Sequence, residues 1–507
     1  MDDKPQETGS GDEARGQDQA RGQGGTRGRE KTPGRAGRGR VAPGPAGRGR
    51  RVWFGSAAAG CAVLGGVLVL VLLPGERRAD GPPEPAAGAL ALAAVAGGVP
   101  ASLPGLEALV EERERHLEEH PRDAESWAVL GAARVEQGRR LGDPARYSRA
   151  EQALRTSLKV RPRDNAAALR GLAALANARR DHPAALEWAE RARKLEPKRW
   201  TTYLPLVEAY AGLGDGDAAG RMLDRLKALR SDPAVMARAA AVYRDKGLRD
   251  DAAAQLADAA AAAGEPAERA SYLEQAGQLA WERGDREDAL GHFREAVRVD
   301  PDQWAARAGQ GRVLAALGRT AEALGAYRAA LAGQPLPEYE LELGELYESL
   351  GRRQDARVHY DLVRSRVRKA AAHGADGNLV LGRFEADHGD PRAAVRRLRT
   401  EWERQPSAAV ADALGWALHR SGRSGEALEF AVRATEETHG GGVRSAPHAF
   451  HRGMIEHELE RPGPARRHLR EALRINPYFS PLRVPQAKAV LERLGEPPVG
   501  EGPPDWS

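Results

Sequence analysis

Two histidines four positions apart are the residues of this chain that come closest to a catalytic motif. His116 and His120, with Glu119 between them, have the spacing of one class of zinc-dependent hydrolase, in which one helix face holds both imidazoles. The helix of such an enzyme is normally buried beside a core. Here residues 111–119 are almost wholly charged and Pro121 ends the segment. We therefore interpret it as a solvated helix and expect no zinc chemistry.

Other candidate sites lack the context that their chemistry requires. His448, His451 and His457 cluster near the C-terminus, where we expect ordinary packing or surface histidines. Residues 212–216 are glycine-rich, but they lack the preceding strand of a phosphate-binding loop. The only cysteine, Cys61, lies in an apolar run, which excludes an intrachain disulfide and a cysteine-based zinc site. We therefore expect no enzyme activity, no cofactor, no metal and no small-molecule substrate.

The composition is typical of closely packed helices with small residues at their contacts. Aromatic residues make up only 5% of the chain, whereas Ala, Arg, Leu and Gly dominate. Arginines outnumber lysines by 68 to 9, a bias that GC-rich codons produce and that suggests a bacterial sequence. Residues 1–51 hold 12 basic and 7 acidic residues, which accounts for the whole net charge of +5. The rest of the chain is close to neutral and lacks the basic signature of a nucleic-acid-binding domain.

The terminal segments are predicted to lack a packed core. Residues 1–51 contain almost no large apolar side chains, so we expect a disordered basic tail. Its Arg-Gly motifs resemble those of RNA-binding segments, but we favour the interpretation that the tail is solvated and lies near anionic lipid. Residues 74–104 are rich in Ala, Gly and Pro and are predicted to be a linker, and 496–507 a second disordered tail.

Residues 52–73 contain no charged side chain and predict a transmembrane helix. At about 1.5 Å per residue this run reaches roughly 33 Å, enough to cross a bilayer core of about 30 Å. Positive charges are more numerous before the run than after it, which places the N-terminus in the cytoplasm and the remainder outside. We therefore expect a single-pass protein of the cell membrane. A cleaved export signal, a lipoprotein site at Cys61 and the reversed orientation are the alternatives.

The region after residue 104 repeats itself with a period of 33 to 38 residues. A glycine recurs in similar surroundings six times, at Gly277, Gly311, Gly344, Gly382, Gly415 and Gly453. A second glycine follows seven residues later in five of these units, at Gly284, Gly318, Gly351, Gly389 and Gly422. An alanine comes five residues after that, at Ala289, Ala323, Ala356, Ala394 and Ala427. Several units end on a proline.

This pattern resembles the tetratricopeptide repeat. The first glycine lets two antiparallel helices approach closely, and the second supplies the positive φ that ends the first helix. The alanine keeps the second helix near its partner, and proline stops it. The resemblance implies an all-α solenoid of about ten helix-turn-helix repeats over residues 105–495, with capping helices near 105–119 and 485–494. The units are most regular between residues 270 and 436.

The resemblance also implies a function, because the first helices of such hairpins line a concave groove that binds a protein or a peptide. Transferring the groove positions gives nine candidate residues: Gln278, Trp281, Arg312, Glu345, Glu348, Arg383, Trp416, His419 and Arg420. Trp281 and Trp416 either face the groove as anchors or pack between helices. We expect a scaffold without turnover. Binding of nucleic acid or anionic lipid through the basic tail is the alternative.

Overall fold

The computed structural model describes residues 86–436 and 443–496, which lie in the unit formed by residues 82–507. The predicted tail 1–51, the apolar run 52–73, the start of the linker and nearly all of 496–507 lie outside the described residues. Every structural statement below concerns the two described ranges.

The prediction of a transmembrane helix, and of a single-pass membrane localisation, is corrected. Within the described ranges, no helix is both long enough and apolar enough to cross a membrane. The longest helix, Arg353–Ala371, has 19 residues but carries charged side chains along its length, so it cannot replace the span expected at 52–73. No functional conclusion below rests on a membrane.

The described residues form 23 α-helices and one 3₁₀ turn, Trp200–Thr202. The helices are α1 (Ala87–Gly97), α2 (Leu103–Glu119), α3 (Ala124–Leu141), α4 (Ala145–Val160), α5 (Ala166–Ala178), α6 (His182–Leu195), α7 (Leu204–Gly212), α8 (Gly216–Leu229), α9 (Pro233–Asp245), α10 (Arg249–Ala262), α11 (Pro266–Arg283), α12 (Arg286–Val299), α13 (Trp304–Ala316), α14 (Thr320–Gly333), α15 (Pro337–Ser349), α16 (Arg353–Ala371), α17 (Asn378–His388), α18 (Pro391–Arg404), α19 (Ala408–Arg420), α20 (Ser424–Thr435), α21 (Ala446–Glu458), α22 (Pro462–Ile475) and α23 (Arg483–Leu494).

Consecutive helices from α3 to α22 pair into ten antiparallel hairpins, so the predicted all-α solenoid is confirmed. We number the hairpins one to ten from α3–α4 to α21–α22, and call the odd-numbered helix of each its first helix. The hairpin α1–α2 precedes them and packs on α3, and α23 follows and packs on α22.

Small residues bring the two helices of each hairpin together, as the fifth hairpin shows. A Cβ added at Gly277 would lie 2.7 Å from the ring of Phe293, and one added at Gly309 of the next hairpin would lie 2.4 Å from it. Phe293 is fully buried between them. Between α11 and α12, Gly284 has φ +87°, a left-handed conformation that a side chain would strain. Four of the five turn glycines, Gly284, Gly318, Gly351 and Gly422, have the predicted positive φ, whereas the prediction is wrong for Gly389, which has φ −142°.

The hairpins also contact hairpins that lie about five units further along the chain. The C-terminal end of α3 in the first hairpin meets the connections after α12 and α14, through Arg140–Asp300 and Gln334–Arg139. The end of α11 in the fifth hairpin meets the connection after α22, where Asn476 contacts Trp281. We call this line of contacts the seam. The solenoid therefore completes one superhelical turn in about five hairpins, and successive turns touch.

Candidate functional site

A central cavity of about 1870 Å³ lies inside the two superhelical turns. The first helix of every one of the ten hairpins contributes to its wall. This follows from the geometry of a hairpin solenoid, in which the first helices form the inner layer and the second helices the outer one. The seam closes the inner layer into a continuous wall at the places where successive turns touch.

Six of the nine candidate residues line this cavity, and three do not. The six on the wall are Gln278, Trp281, Arg312, Glu345, Arg383 and Trp416. The remaining three, Glu348, His419 and Arg420, lie on the same helices but contact neighbouring side chains instead. Glu348 accepts a hydrogen bond from the Tyr360 hydroxyl at 2.6 Å, and His419 Nδ1 lies 3.0 Å from Ser424 Oγ. Arg420 Nε lies 3.4 Å from an oxygen of Asp387.

Arg312 is the centre of a polar network that joins three neighbouring first helices. Its Nη1 donates to Gln278 Oε1 at 2.6 Å, and its Nη2 donates to Glu342 Oε1 at 2.7 Å. Burial by itself would lower the pKa of Arg312, but the carboxylate of Glu342 raises it above the ordinary value. Arg312 is therefore a permanently charged group whose hydrogen bonds are already satisfied, and it fixes the register of α11, α13 and α15.

Glu274 is an ionisable residue that sequence reasoning missed. It lies one helical turn before Gln278 on α11, and burial raises its pKa to about 7, with Glu282 adding to the shift. Arg312 and Arg244 oppose the shift without cancelling it. The four-residue offset from Gln278 could have indicated the position, but its pKa depends on charges from other helices.

The two tryptophans pack against the solenoid and present only an edge to the cavity. Trp281 is 6% exposed and Trp416 is 4% exposed. Trp416 Nε1 donates to Asp387 Oδ1 at 2.9 Å, and its ring stacks on His451 with centroids 4.3 Å apart. The backbone carbonyl of Trp281 accepts a hydrogen bond at the seam. Both side chains are therefore chiefly packing residues of the wall.

A buried carboxylate flanked by two histidines lies next to Trp416. Asp412 Oδ1 is 2.9 Å from His451 Nδ1, and Oδ2 is 3.7 Å from His448 Nε2. Burial would raise the pKa of Asp412, but His448 and His451 lower it well below the ordinary value. Burial also lowers the pKa of His448. Asp412 was missed by sequence reasoning, although it lies one helical turn before Trp416. In the described ranges, no group of three or more His, Cys, Asp or Glu residues is arranged to hold a metal.

Arg383 differs from Arg312, the other candidate arginine that lines the wall. Its side chain is exposed to the cavity, and it makes no hydrogen bond or ion pair with any residue in the described ranges. The surrounding wall removes solvent and lowers the pKa of Arg383, while Asp412 opposes that shift. A guanidinium that is partly desolvated and unpaired is a group that an anion can stabilise.

The two sequence motifs that suggested chemistry have structural roles. His116 Nε2 lies 3.1 Å from Asp123 Oδ2, and the His120 ring stacks on that of His116. Asp123 caps α3, and hydrogen bonds from Ser126 outweigh burial and lower the pKa of Asp123 to about 2. The glycine-rich stretch 212–216 is the turn between α7 and α8, and it contacts the eighth and ninth hairpins.

Comparison with known proteins identifies the repeats. The tetratricopeptide repeat model matches residues 135–199 and 274–340. None of the curated proteins matches the chain. Among solved structures, the human IFIT1 dimer with PPP-AAAA is 18% identical over 69% of this chain and 82% of its own, with a TM-score of 0.43. Pseudomonas aeruginosa pilF is 21% identical over 46% of this chain and 96% of its own, with a TM-score of 0.31. Yeast Tom70 is 14% identical over 72% of this chain and 95% of its own, with a TM-score of 0.31.

Structural similarity at these TM-scores is too low to transfer a function. The match to the repeat model, together with the helical hairpins that it covers, supports a more limited conclusion: residues 135–199 and 274–340 of this chain are tetratricopeptide repeats.

Proposed function

We propose that the protein is a scaffold without turnover that binds a polypeptide segment of a partner inside the central cavity. The observation that carries this proposal is that all ten first helices line one cavity of about 1870 Å³. Sites for small molecules usually measure about 300–1,000 Å³. The cavity is therefore too large for a drug-sized ligand and has the dimensions of a site for a short stretch of chain.

The chemistry of the wall supports a polar polypeptide as the occupant. Both signs of charge are present, and most of the charges are paired with each other, as in Arg312–Glu342 and Arg180–Glu338. Such pairs offer hydrogen-bonding groups at fixed positions. Because their charges cancel, they produce no net positive potential that would favour a polyanion. Arg383 lies on the same wall on a central first helix, and it makes no hydrogen bond or ion pair within the described ranges. We assign Arg383 as the anchor for an acidic group of the partner segment.

The other candidate residues take supporting roles in this proposal. Gln278, Glu345 and the edges of the two tryptophans contribute to the contact surface of the wall. Glu348, His419 and Arg420 hold the inner helices in position from behind that surface. Substitution of Trp416 would therefore disturb the fold before it reported on binding, whereas Arg383 can be changed without removing a contact.

Charge reversal at Arg383 tests the proposal. Partner proteins would be captured from cells of the source species by chemical cross-linking to the full chain, and quantified by mass spectrometry. We expect Arg383→Glu to reduce recovery of the specific partner by about tenfold, since loss of a charged hydrogen bond changes binding by roughly 1.5–3 kcal/mol.

The matched control is Arg353→Glu on the outer helix α16. Arg353 is exposed and likewise makes no ion pair within the described ranges, so its reversal changes the net charge by the same amount outside the cavity. Both variants must first be shown to unfold at the wild-type temperature. Equal recovery of the partner with Arg383→Glu and Arg353→Glu would then contradict binding inside the cavity.

A further inference from the structure

We infer that the cavity accepts a polypeptide that carries a free end and enters along the superhelical axis, because the seam closes the side wall at four of the five hairpins of the first superhelical turn. This inference rests on the proposed function and deepens it by specifying the kind of partner. At these four hairpins, a folded domain, or a loop held at both ends between folded domains, cannot reach the inner helices unless the seam opens.

Polar contacts close the seam at the first, second and fifth hairpins. Each of them includes a hydrogen bond to a backbone carbonyl in the last turn of a first helix or within two residues after it. The donor and acceptor atoms are Gln334 Nε2 and Arg139 O at 2.7 Å, Gln405 Nε2 and Arg180 O at 3.1 Å, Asp376 N and Arg179 O at 2.7 Å, and Asn476 Nδ2 and Trp281 O at 2.7 Å. The last carbonyls of a helix have no partner within the helix. At Arg139, Arg179 and Arg180 the facing superhelical turn thus supplies a partner that water or a side chain would otherwise provide, whereas the Trp281 carbonyl also accepts a hydrogen bond from Gly284 N at 3.0 Å.

Three residues of the seam are shielded from solvent. Asp300, Gln405 and Asn476 are all buried, and each follows the last residue of a second helix. Separation of the turns would leave these side chains and the carbonyls that they serve without their present partners. Opening of the seam is therefore opposed at several hairpins at once.

The glycines in the turns between first and second helices show independently that two turns meet. In the third hairpin a Cβ added at Gly214 would lie 2.4 Å from the carbonyl oxygen of Pro406, and in the fifth one added at Gly284 would lie 3.2 Å from Asn476 Cα. The corresponding glycines of the second superhelical turn, Gly318, Gly351 and Gly422, would meet nothing within 4 Å. All five have positive φ, so the difference reflects the facing turn alone.

Contacts between the two superhelical turns close the seam at the first, second, third and fifth hairpins. The fourth hairpin corresponds in register to the connection between α20 and α21, and residues 437–442 of that connection lie outside the described residues.

Thiol labelling separates access along the axis from access through the seam. Cys61→Ser removes the only natural thiol, and Ala409→Cys places one on the cavity wall near the seam residue Ser407. Ser365→Cys on the outer face of α16 is the matched control. The probes are a linear polyethylene glycol maleimide of about 2 kDa, a flexible chain with a free end, and a maleimide fixed to a folded carrier protein.

We expect the linear probe to label Ala409→Cys at a rate within about threefold of that for Ser365→Cys. The carrier-bound probe should label Ala409→Cys at least about tenfold more slowly than the control, because a folded body cannot pass the wall. Labelling of both positions at equal rates by the carrier-bound probe would show an open side and overturn the inference.

A covalent lock then tests whether the linear probe passes through the seam. Ser148 Oγ and His373 Nδ1 lie 2.9 Å apart across the turns, on the exposed surface. A disulfide between Ser148→Cys and His373→Cys, formed before labelling, should leave the rate at Ala409→Cys unchanged. A fall of about tenfold, reversed by reduction, would mean that the chain passes through the seam and would refute axial access.

These outcomes are independent of the Arg383 experiment. Failure of partner capture by the wild-type chain would refute the proposed function and leave the measured access route intact. Conversely, a partner whose cross-links to Ala409→Cys map between two folded domains would support the scaffold and contradict the requirement for a free end.

Discussion

Arg140 and Asp300 are 160 residues apart in the sequence, yet Arg140 Nη2 and Asp300 Oδ2 lie 2.5 Å apart at the seam. Both side chains are more than nine-tenths buried. Arg140 Nη1 also donates to the carbonyl of Ala101 at 3.1 Å, so one guanidinium joins the connection between α1 and α2 to a connection of the following superhelical turn. The pair fixes the distance between the two superhelical turns at this point, and therefore keeps the wall of the cavity closed there.

Removal of one partner of this pair should destabilise the protein strongly. We expect Arg140→Ala to lower the free energy of unfolding by about 3–5 kcal/mol, because it leaves the Asp300 carboxylate buried and unpaired. Urea denaturation followed by circular dichroism measures the change. The surface pair Arg298–Glu295 provides the control, and Arg298→Ala should leave the midpoint unchanged. If both substitutions changed the free energy of unfolding equally, the seam pair would not contribute to stability as proposed.

Two turn glycines should respond differently to the same substitution. Gly214 and Gly318 have φ of +76° and +74°, so alanine strains both backbones by a similar amount. Only the Gly214 substitution also meets an atom of the facing turn. We expect Gly318→Ala to cost about 1 kcal/mol and Gly214→Ala about 3 kcal/mol. The difference between the two unfolding free energies measures closure of the seam, and a difference near zero would argue against it.

The raised pKa of Glu274 predicts a pH dependence of stability. Because the folded-state pKa is about 7 and the ordinary value is 4.5, the favourable contribution is complete below pH 4.5 and is lost as the pH rises through 7. The unfolding free energy of the wild type relative to Glu274→Gln should therefore fall by about 2 kcal/mol across that window. Glu287→Gln on the exposed face of α12 is the control. If the difference in unfolding free energy between wild type and Glu274→Gln did not change with pH, the raised pKa of Glu274 would be contradicted.

Asp412 should show the opposite dependence. Its pKa is depressed, so its contribution to stability is present above the ordinary value of 3.8 and is lost as the pH falls below it. Asp412→Asn should lower the free energy of unfolding by about 2 kcal/mol at pH 7, and the gap to the wild type should narrow toward pH 3. Asp217→Asn at the start of α8 should produce no such gap. A gap that is constant with pH would show that the histidines do not stabilise the Asp412 charge.

The helical hairpins could be predicted from the sequence because their determinants are local. Gly277, Gly284 and Ala289 recur with the period of one hairpin, and each acts on a helix that lies within about thirty residues. The transmembrane prediction also used a local property, uncharged length, but no helix in the described ranges bears it out. Six of the nine candidate residues reach the cavity wall because a position on a first helix repeats from one hairpin to the next.

The rest of the candidate site depends on geometry that accumulates along the solenoid. Each hairpin is rotated slightly relative to the one before, and only the sum over about five hairpins brings Arg140 to Asp300 or Asn476 to Trp281. The residue pattern within one repeat does not specify this accumulated rotation. The unpaired state of Arg383 and the burial of Trp416 likewise depend on which side chains surround them in space. The sequence by itself determined the repeating helices, and the tertiary structure alone decided that they close around a cavity.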